Sequence, residues 1–273
     1  MSKLAIGRPR FSASVTFLYH GRSAAAVASH ASEAGFSAVE FQLTEGGQAE
    51  EFAPQLQAAE LPVALLNLDI GDFPAGGLGL AGVPGLQAQF MTALERGFRE
   101  AKVLGAKAVH LGPSRVPPGV SREQCLMQLR ENLQRARDRL GELAIPVSLE
   151  ALNSLENPDV LLDNPEEIVD LMETLGSDGL GLQYDIYHAA VSSRDIAKDI
   201  GRFAHRLVHV QFADHPGRHE PGSGSVPLAT YFELLSEVGY QGYLGAEYKP
   251  THTLNESLGW IRPYSAQRTS CTT

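Results

Sequence analysis

The sequence predicts an α/β protein whose parallel sheet closes into a (β/α)8 TIM barrel, and three observations point that way. Strand-length apolar runs alternate with helical stretches eight times, with no break in composition. Strict β-then-α alternation implies a parallel sheet. The length, 273 residues, suits one such barrel of roughly 250 residues. Finally, polar residues able to do chemistry end several consecutive strands, about one strand-plus-helix unit apart. Residues 1–273 are therefore read as a single TIM-barrel domain, with an open six-stranded sheet plus a small cap as the alternative.

The first strand is read over Phe11–Leu18, followed by an Ala-rich helix from Ser23 to Ala34 that Gly35 terminates. Phe36–Phe41 is the second strand, with Glu40 near its end, and Gln48–Ala59 the second helix. Leu61–Leu68 is the third strand, and a Gly-rich loop, Asp69–Gly82, leads to a helix over Pro84–Leu104. Ala106–Leu111 is the fourth strand. Ser121 caps the next helix, which runs to Leu140. Strand five is Ile145–Glu150, and its helix starts at Asn164-Pro165, with proline in the first turn. Strand six is Gly179–Asp185, helix six Ser192–Phe203 and strand seven Leu207–Phe212. A loop, His215–Ser225, precedes helix seven and strand eight, Gly242–Glu247, and a last helix covers Leu254–Pro263.

A hydrophobic content of 43% and a charged content of 20% describe a globular protein with a large core. The formal net charge of -10 argues against a nucleic-acid partner, whose phosphates call for basic surface. Cys125 and Cys271 are too far apart in sequence for a metal motif and read as free thiols in a reducing cytoplasm. Met1–Arg10 has no apolar run of signal-peptide length, and no stretch reaches membrane-spanning length. The expectation is a cytoplasmic protein with no membrane partner; a homo-oligomer is compatible with it.

Glu150, Asp185, Gln211 and Glu247 are separated by 35, 26 and 36 residues and fall at the C-terminal ends of strands five to eight. Chemistry in such barrels sits at that end. Along Val147-Ser-Leu-Glu150, alternation puts Glu150 on the face of Ser148. Read singly, each acid is a helix cap or a surface ion-pair partner; the recurring spacing favours convergence instead. Converging carboxylates raise one another's pKa, a cost that a divalent cation removes. An all-oxygen donor set suits Mg²⁺ or Mn²⁺ better than zinc, with positions left open for substrate oxygens.

His188, placed in the loop after strand six, is read as a substrate-binding residue on the catalytic rim. His209, lower on the face of Gln211, reads as a satisfied core histidine, and His110 as a residue near the mouth. Arg218, on the loop after strand seven, and Lys249 are read as an anion grip for a substrate carboxylate. Gly77-Leu-Gly-Leu-Ala-Gly82 matches the dinucleotide fingerprint G-x-G-x-x-G, but a nine-residue loop separates it from the preceding strand and Pro84 interrupts the chain just beyond it. It reads as a flexible lid loop.

Glu150-Ala-Leu-Asn153, Gln183-Tyr-Asp-Ile-Tyr-His188, His209-Val-Gln-Phe-Ala-Asp214, Pro216-Gly-Arg-His-Glu-Pro-Gly222 and Glu247-Tyr-Lys-Pro250 together resemble the hydroxypyruvate isomerase family of xylose-isomerase-like barrels, nearly end to end. The resemblance implies a divalent metal held at Glu150, Asp185, Gln211 and Glu247, with Glu150 and Glu247 as the proton-transfer pair. Gln211 favours this branch over the ketose 3-epimerases, which usually place histidine there. One departure is Gly222-Ser-Gly-Ser225, where the family commonly ends in glutamate.

The expected function is isomerisation of hydroxypyruvate to 2-hydroxy-3-oxopropanoate (tartronate semialdehyde) through an enediolate. The alternatives are isomerisation of a longer 2-oxo sugar acid of the 2-oxo-tetronate type, 3-epimerisation of a ketose, or sugar-acid binding without turnover. A barrel nuclease would need a histidine-rich zinc site and a basic surface, which this acidic chain lacks.

Overall fold

In the computed structural model, which describes residues 8–42 and 48–265, eight parallel strands close into a barrel in chain order. They are β1 (Phe11–Ser14), β2 (Ala38–Phe41), β3 (Val63–Asn67), β4 (Val109–His110), β5 (Val147–Glu150), β6 (Leu180–Asp185), β7 (Leu207–Phe212) and β8 (Leu244–Ala246). β1 closes the ring on β8, with Ser12 opposite Gly245. The helices are α1 (Val15–Leu18), α2 (Ala24–Ala34), α3 (Gln48–Ala58), α4 (Gln87–Leu104), α5 (Arg122–Gly141), α6 (Pro165–Leu175), α7 (Ile186–Val191), α8 (Ile196–Phe203), α9 (Leu228–Glu237), α10 (Leu254–Ser257) and α11 (Arg262–Ser265).

The predicted caps are in place. Ser23 accepts from Ala26 N, Gly35 ends α2 in the left-handed conformation, Ser121 forms a capping box with Gln124, and Asn164 accepts from Glu166 N ahead of Pro165. The fourth strand, expected over Ala106–Leu111, is confined to Val109–His110, and three further segments differ from expectation. The first strand stops at Ser14, because the Ser14 hydroxyl accepts from Phe17 N and starts α1; this turns Thr16 and Phe17 towards the mouth. The expected sixth helix is two, since α7 begins directly after Asp185 and the chain turns at Ser193, with φ of 54°, before Asp195 caps α8. The last helix is broken into α10, a 3-10 turn at Gly259–Ile261 and α11.

Alternation along the strands sorts the side chains into two populations. Phe11 and Phe212 face outwards and meet Phe232 of α9 and Trp260 edge-on, at centroid distances from 4.8 to 5.3 Å. Glu40 of β2 bonds His209 and Gln211 of β7; strands so far apart in the ring can meet only through the lumen. Gly245 makes room for this pairing, for a Cβ there would overlap the Glu40 carboxylate. Cys125 is buried and free, while Cys271 lies outside the described residues. No described helix is long and apolar enough to cross a membrane.

Candidate active site

A cavity of about 410 Å³ opens at the C-terminal ends of the strands, and Glu150, His188, Gln211, Arg218, Glu247 and Lys249 all line it. Asp185 is buried just behind, its Oδ2 lying 3.7 Å from His188 Nε2 and 3.5 Å from Arg218 Nη2. Ligand atoms of Glu150, Asp185 and His188 lie within 4.8 Å of one another. The side chains singled out in the sequence thus share one location. The strand-end register explains why: Asp185 pairs with Gln211, and Glu150 with Gln183.

Asp185 does two things at once. Its Oδ1 accepts from Tyr187 N at 2.7 Å and caps α7, while Oδ2 is buried with no hydrogen-bond partner. His188 is therefore on a helix, one turn past the acid, and not in a loop. Its Nδ1 accepts from the Asn153 backbone N–H at 3.3 Å and from the Asn153 amide at 2.6 Å. The proton of the neutral ring accordingly sits on Nε2, which faces Asp185. Burial holds His188 down to about 4, with Asp185 opposing the shift, so the ring is neutral near neutral pH. In that state the ring offers one N–H, on Nε2.

Beneath the cluster runs a hydrogen-bonded chain of amides and acids. Glu40, completely buried, accepts from Ser12 Oγ at 2.6 Å, Gln42 Nε2 at 2.7 Å, His209 Nε2 at 2.8 Å and Gln211 Nε2 at 2.8 Å. Burial alone would raise Glu40, but the His209 imidazole and these donors hold it below the ordinary carboxylate range. An ionised Glu40 can only accept, so it fixes the NH₂ end of Gln211 and leaves the amide oxygen for the cluster. That oxygen accepts from Gln183 Nε2 at 2.6 Å and keeps a second lone pair. Gln183 also donates to Glu150 Oε2 at 3.2 Å. Sequence reasoning misses Glu40 and Gln183 as site residues, although period-two alternation places Gln183 on the face of Asp185. His209 is the satisfied core histidine expected, with Glu40 as its partner.

The electrostatics suit a cation. Burial first, then Asp185 and Glu247, push Glu150 well above the usual carboxylate range. Burial pushes Glu247 up to about 8, Arg218 opposing and Asp185 and Glu40 reinforcing the rise. Arg218 lies 3.2 Å from Glu247 Oε2; burial disfavours its charge, but Glu247, Asp185 and Glu150 overcome that and raise its pKa. All three carboxylates ionised beside one guanidinium would leave two negative charges uncompensated, which is why Glu150 and Glu247 hold their protons, and Asp185 Oδ2 is a buried oxygen without a donor. Glu150, Asp185, Gln211 and Glu247 thus fit a divalent cation in charge and donor type.

Ile70, Phe73 and Pro74, from the Gly-rich loop, roof the cavity. The loop is packed in place. The Arg115 guanidinium lies 3.8 Å from the Phe73 ring centroid and donates to the Phe73 and Gly77 carbonyls, and Gly82 N donates to Ser114 Oγ. Gly79 and Gly82 serve close contact with Pro113 and Leu161. Asp214, fully buried, gathers the backbone N–H groups of His215, Gly222, Gly224 and Val226 and shapes the loop that carries Arg218. Ser225 is exposed and outside the cavity lining, its hydroxyl on the His215 carbonyl.

Residues 28–264 match the family described as xylose isomerase-like TIM barrel. The chain is 31% identical over 256 residues to the 2-oxo-tetronate isomerase of Cupriavidus necator, covering 94% of this chain and 98% of that one. To the hydroxypyruvate isomerase of Escherichia coli it is 32% identical, covering 93% and 99%. A solved structure from Brucella melitensis, described as an AP endonuclease, family 2, superposes with a TM-score of 0.88 at 30% identity, covering 94% and 99%. With its barrel, its strand-end acids and these relatives, the chain belongs to the xylose isomerase-like TIM-barrel family.

Proposed function

We propose that this chain is a metal-dependent isomerase that interconverts a 2-oxo-3-hydroxy acid and its 3-oxo-2-hydroxy isomer by enediolate proton transfer, with hydroxypyruvate and 2-hydroxy-3-oxopropanoate as the simplest pair. The isomerase class rests on the relatives, which bear the names of hydroxypyruvate and 2-oxo-tetronate isomerases. The observation that carries the mechanism is the buried trio Glu150, Asp185 and Glu247 with Arg218 as the guanidinium among them. When bound, Mg²⁺ or Mn²⁺ supplies charge stabilisation for the oxygens that become negative on the way to the enediolate.

The chain's own residues do the rest. Glu150 and Glu247 stand on opposite flanks of Asp185 and Gln211 in strand order, so one removes the proton from the hydroxyl-bearing carbon and the other returns one to its neighbour. Both carboxylates line the cavity, as a base and an acid acting on one bound substrate must. His188 Nε2–H donates to a substrate oxygen, and Arg218 and Lys249, on the β7–β8 side of the cavity, take the carboxylate. Asn153 keeps His188 in the donor tautomer, and Gln183 holds Glu150 in place. The acidic chain, net charge -10, and the small acid-lined cavity support a small-molecule substrate over nucleic acid.

The deciding measurement is hydroxypyruvate turnover by chelator-treated protein with and without added Mg²⁺ or Mn²⁺. Turnover that requires metal supports the proposal. Metal-loaded protein that turns over neither hydroxypyruvate nor a four-carbon 2-oxo-3-hydroxy acid sinks it.

A further inference from the structure

One wall of the cavity takes no part in proton transfer or cation binding. Asn67 ends β3, His110 ends β4, and the two are register partners, so their side chains stand next to each other on the lumen side. Both line the cavity, at 8% and 2% exposure. Asn67 Oδ1 and His110 Nε2 are buried and have no hydrogen-bond partner. The His110 tautomer is set by its other nitrogen, which must donate to the Ser148 carbonyl at 3.2 Å. Nε2 therefore offers a lone pair, and its closest charged neighbour, Glu150 Oε2, stands 3.7 Å away. The next polar residue around the ring, Gln42, is satisfied on both sides, by Ser14 and by Glu40.

Buried acceptors without donors are disfavoured unless a ligand or water completes them. A hydroxyl is the group that fits, because it is neutral and small; its one proton goes to His110 Nε2 or to Asn67 Oδ1, and a second hydroxyl or a water completes the other acceptor. The roof above, Ile70, Phe73 and Pro74, offers apolar contact only. The opposite wall, β7 and β8, holds Arg218 and Lys249 near the cluster. An acid gripped there by its carboxylate and read at β3 and β4 by a hydroxyl must span the lumen. The volume agrees: about 410 Å³ is more than a three-carbon acid fills.

We propose that Asn67 and His110 form a hydroxyl-accepting subsite, and that the preferred substrate is a 2-oxo acid of four or more carbons bearing a hydroxyl beyond the two reacting carbons. This rests on the isomerase reading above and adds to it the residues that select chain length. A site built to pair a substrate hydroxyl rejects the analogue without it, because its own polar groups are then left unpaired.

The test uses the full chain loaded with Mn²⁺ and three acids: hydroxypyruvate, the four-carbon 2-oxo-3,4-dihydroxy acid and its 4-deoxy analogue. Wild type is expected to favour the dihydroxy acid over the 4-deoxy acid by roughly tenfold to a hundredfold in kcat/KM, chiefly through KM. Asn67→Leu and His110→Phe are each expected to bring that ratio towards one. Should either variant fail to fold, the wild-type comparison decides by itself. Equal kcat/KM for the dihydroxy and deoxy acids, or a ratio unmoved in both folded variants, overturns the subsite alone. No turnover of any of the three acids overturns the isomerase reading and the subsite together.

Discussion

Along β7, Val210 and Phe212 point to the helices, while His209 and Gln211, one residue out of step, point to the lumen. The outer face belongs to a jacket of interlocked rings, Phe11, Phe212, Phe232 and Trp260. The inner face is a column of serines, acids, amides and histidines, where barrels of this kind commonly pack branched apolar residues. The column is itself graded. Glu40, at its base, accepts four hydrogen bonds. At its top Asn67 Oδ1, His110 Nε2, Asp185 Oδ2 and Arg218 Nε are buried without a hydrogen-bond partner. Satisfaction falling towards the mouth marks where the protein is completed by something else. The jacket holds the fold, and the base of the column holds the orientation of groups that only the top uses.

Substitutions should separate these duties. Glu150→Gln and Glu247→Gln should lower metal-dependent kcat about 10²–10⁴-fold while the metal-free melting temperature holds or rises. Phe232→Ala should do the reverse, costing about 3–5 kcal/mol in denaturant unfolding with the kcat of the folded fraction preserved. At the base of the column, Glu40→Gln sets an amide donor against Gln211 or His209, and Mn²⁺ affinity by calorimetry should weaken about 10–100-fold.

A smaller effect is electrostatic. Glu247 has a folded pKa of about 8, against an ordinary carboxylate value of about 4.3 when unfolded. Between these values the folded metal-free protein binds more protons than the unfolded chain, so this contribution to stability is present at low pH and lost as pH rises through 8. The neutral His110 and His188, both held down to about 4, act oppositely below pH ~6.5. The difference in unfolding free energy between wild type and Glu247→Gln isolates the first effect and should grow from pH 5 to 8. The part of the proton release on Mn²⁺ addition that Glu247→Gln removes, read in weak buffer, should fade above pH 8. Ser225→Glu, exposed and off the cavity wall, should leave kcat/KM within about twofold and stability within about 0.5 kcal/mol.

Much of this is legible in the sequence because both periodicities are strict here. Apolar runs ending in Glu150, Asp185 and Gln211 carry strand register and catalytic end in the same letters. The caps at Ser121 and Asn164 are local chemistry and can be read for that reason. What escapes depends on groups that meet only in three dimensions. Glu40 and His209 are 169 positions apart, and no local pattern joins them across the lumen. Nothing in Asn153 announces that its amide sets the tautomer of a histidine on α7. The break after Ser14 and the early start of α7 share a cause: a strand-end Ser or Asp turns back to cap a helix, and its apolar context reads as continued strand or loop. The Gly-rich loop does lie over the mouth, but the Arg115 contacts that pin it are tertiary.

Asp185 holds the first turn of α7 with one oxygen and presents the other to the cluster. That turn carries Tyr187 and His188, so the start of the helix and the occupancy of the cluster hang on a single carboxylate. Thermodynamic linkage makes such coupling reciprocal. A ligand drawn to Oδ2 steadies the turn that carries His188, and a change that loosens α7 is felt as lost affinity at Oδ2. The two positions are thereby coupled without any moving domain: whatever binds at the aspartate and whatever binds at the histidine steady the same helical turn.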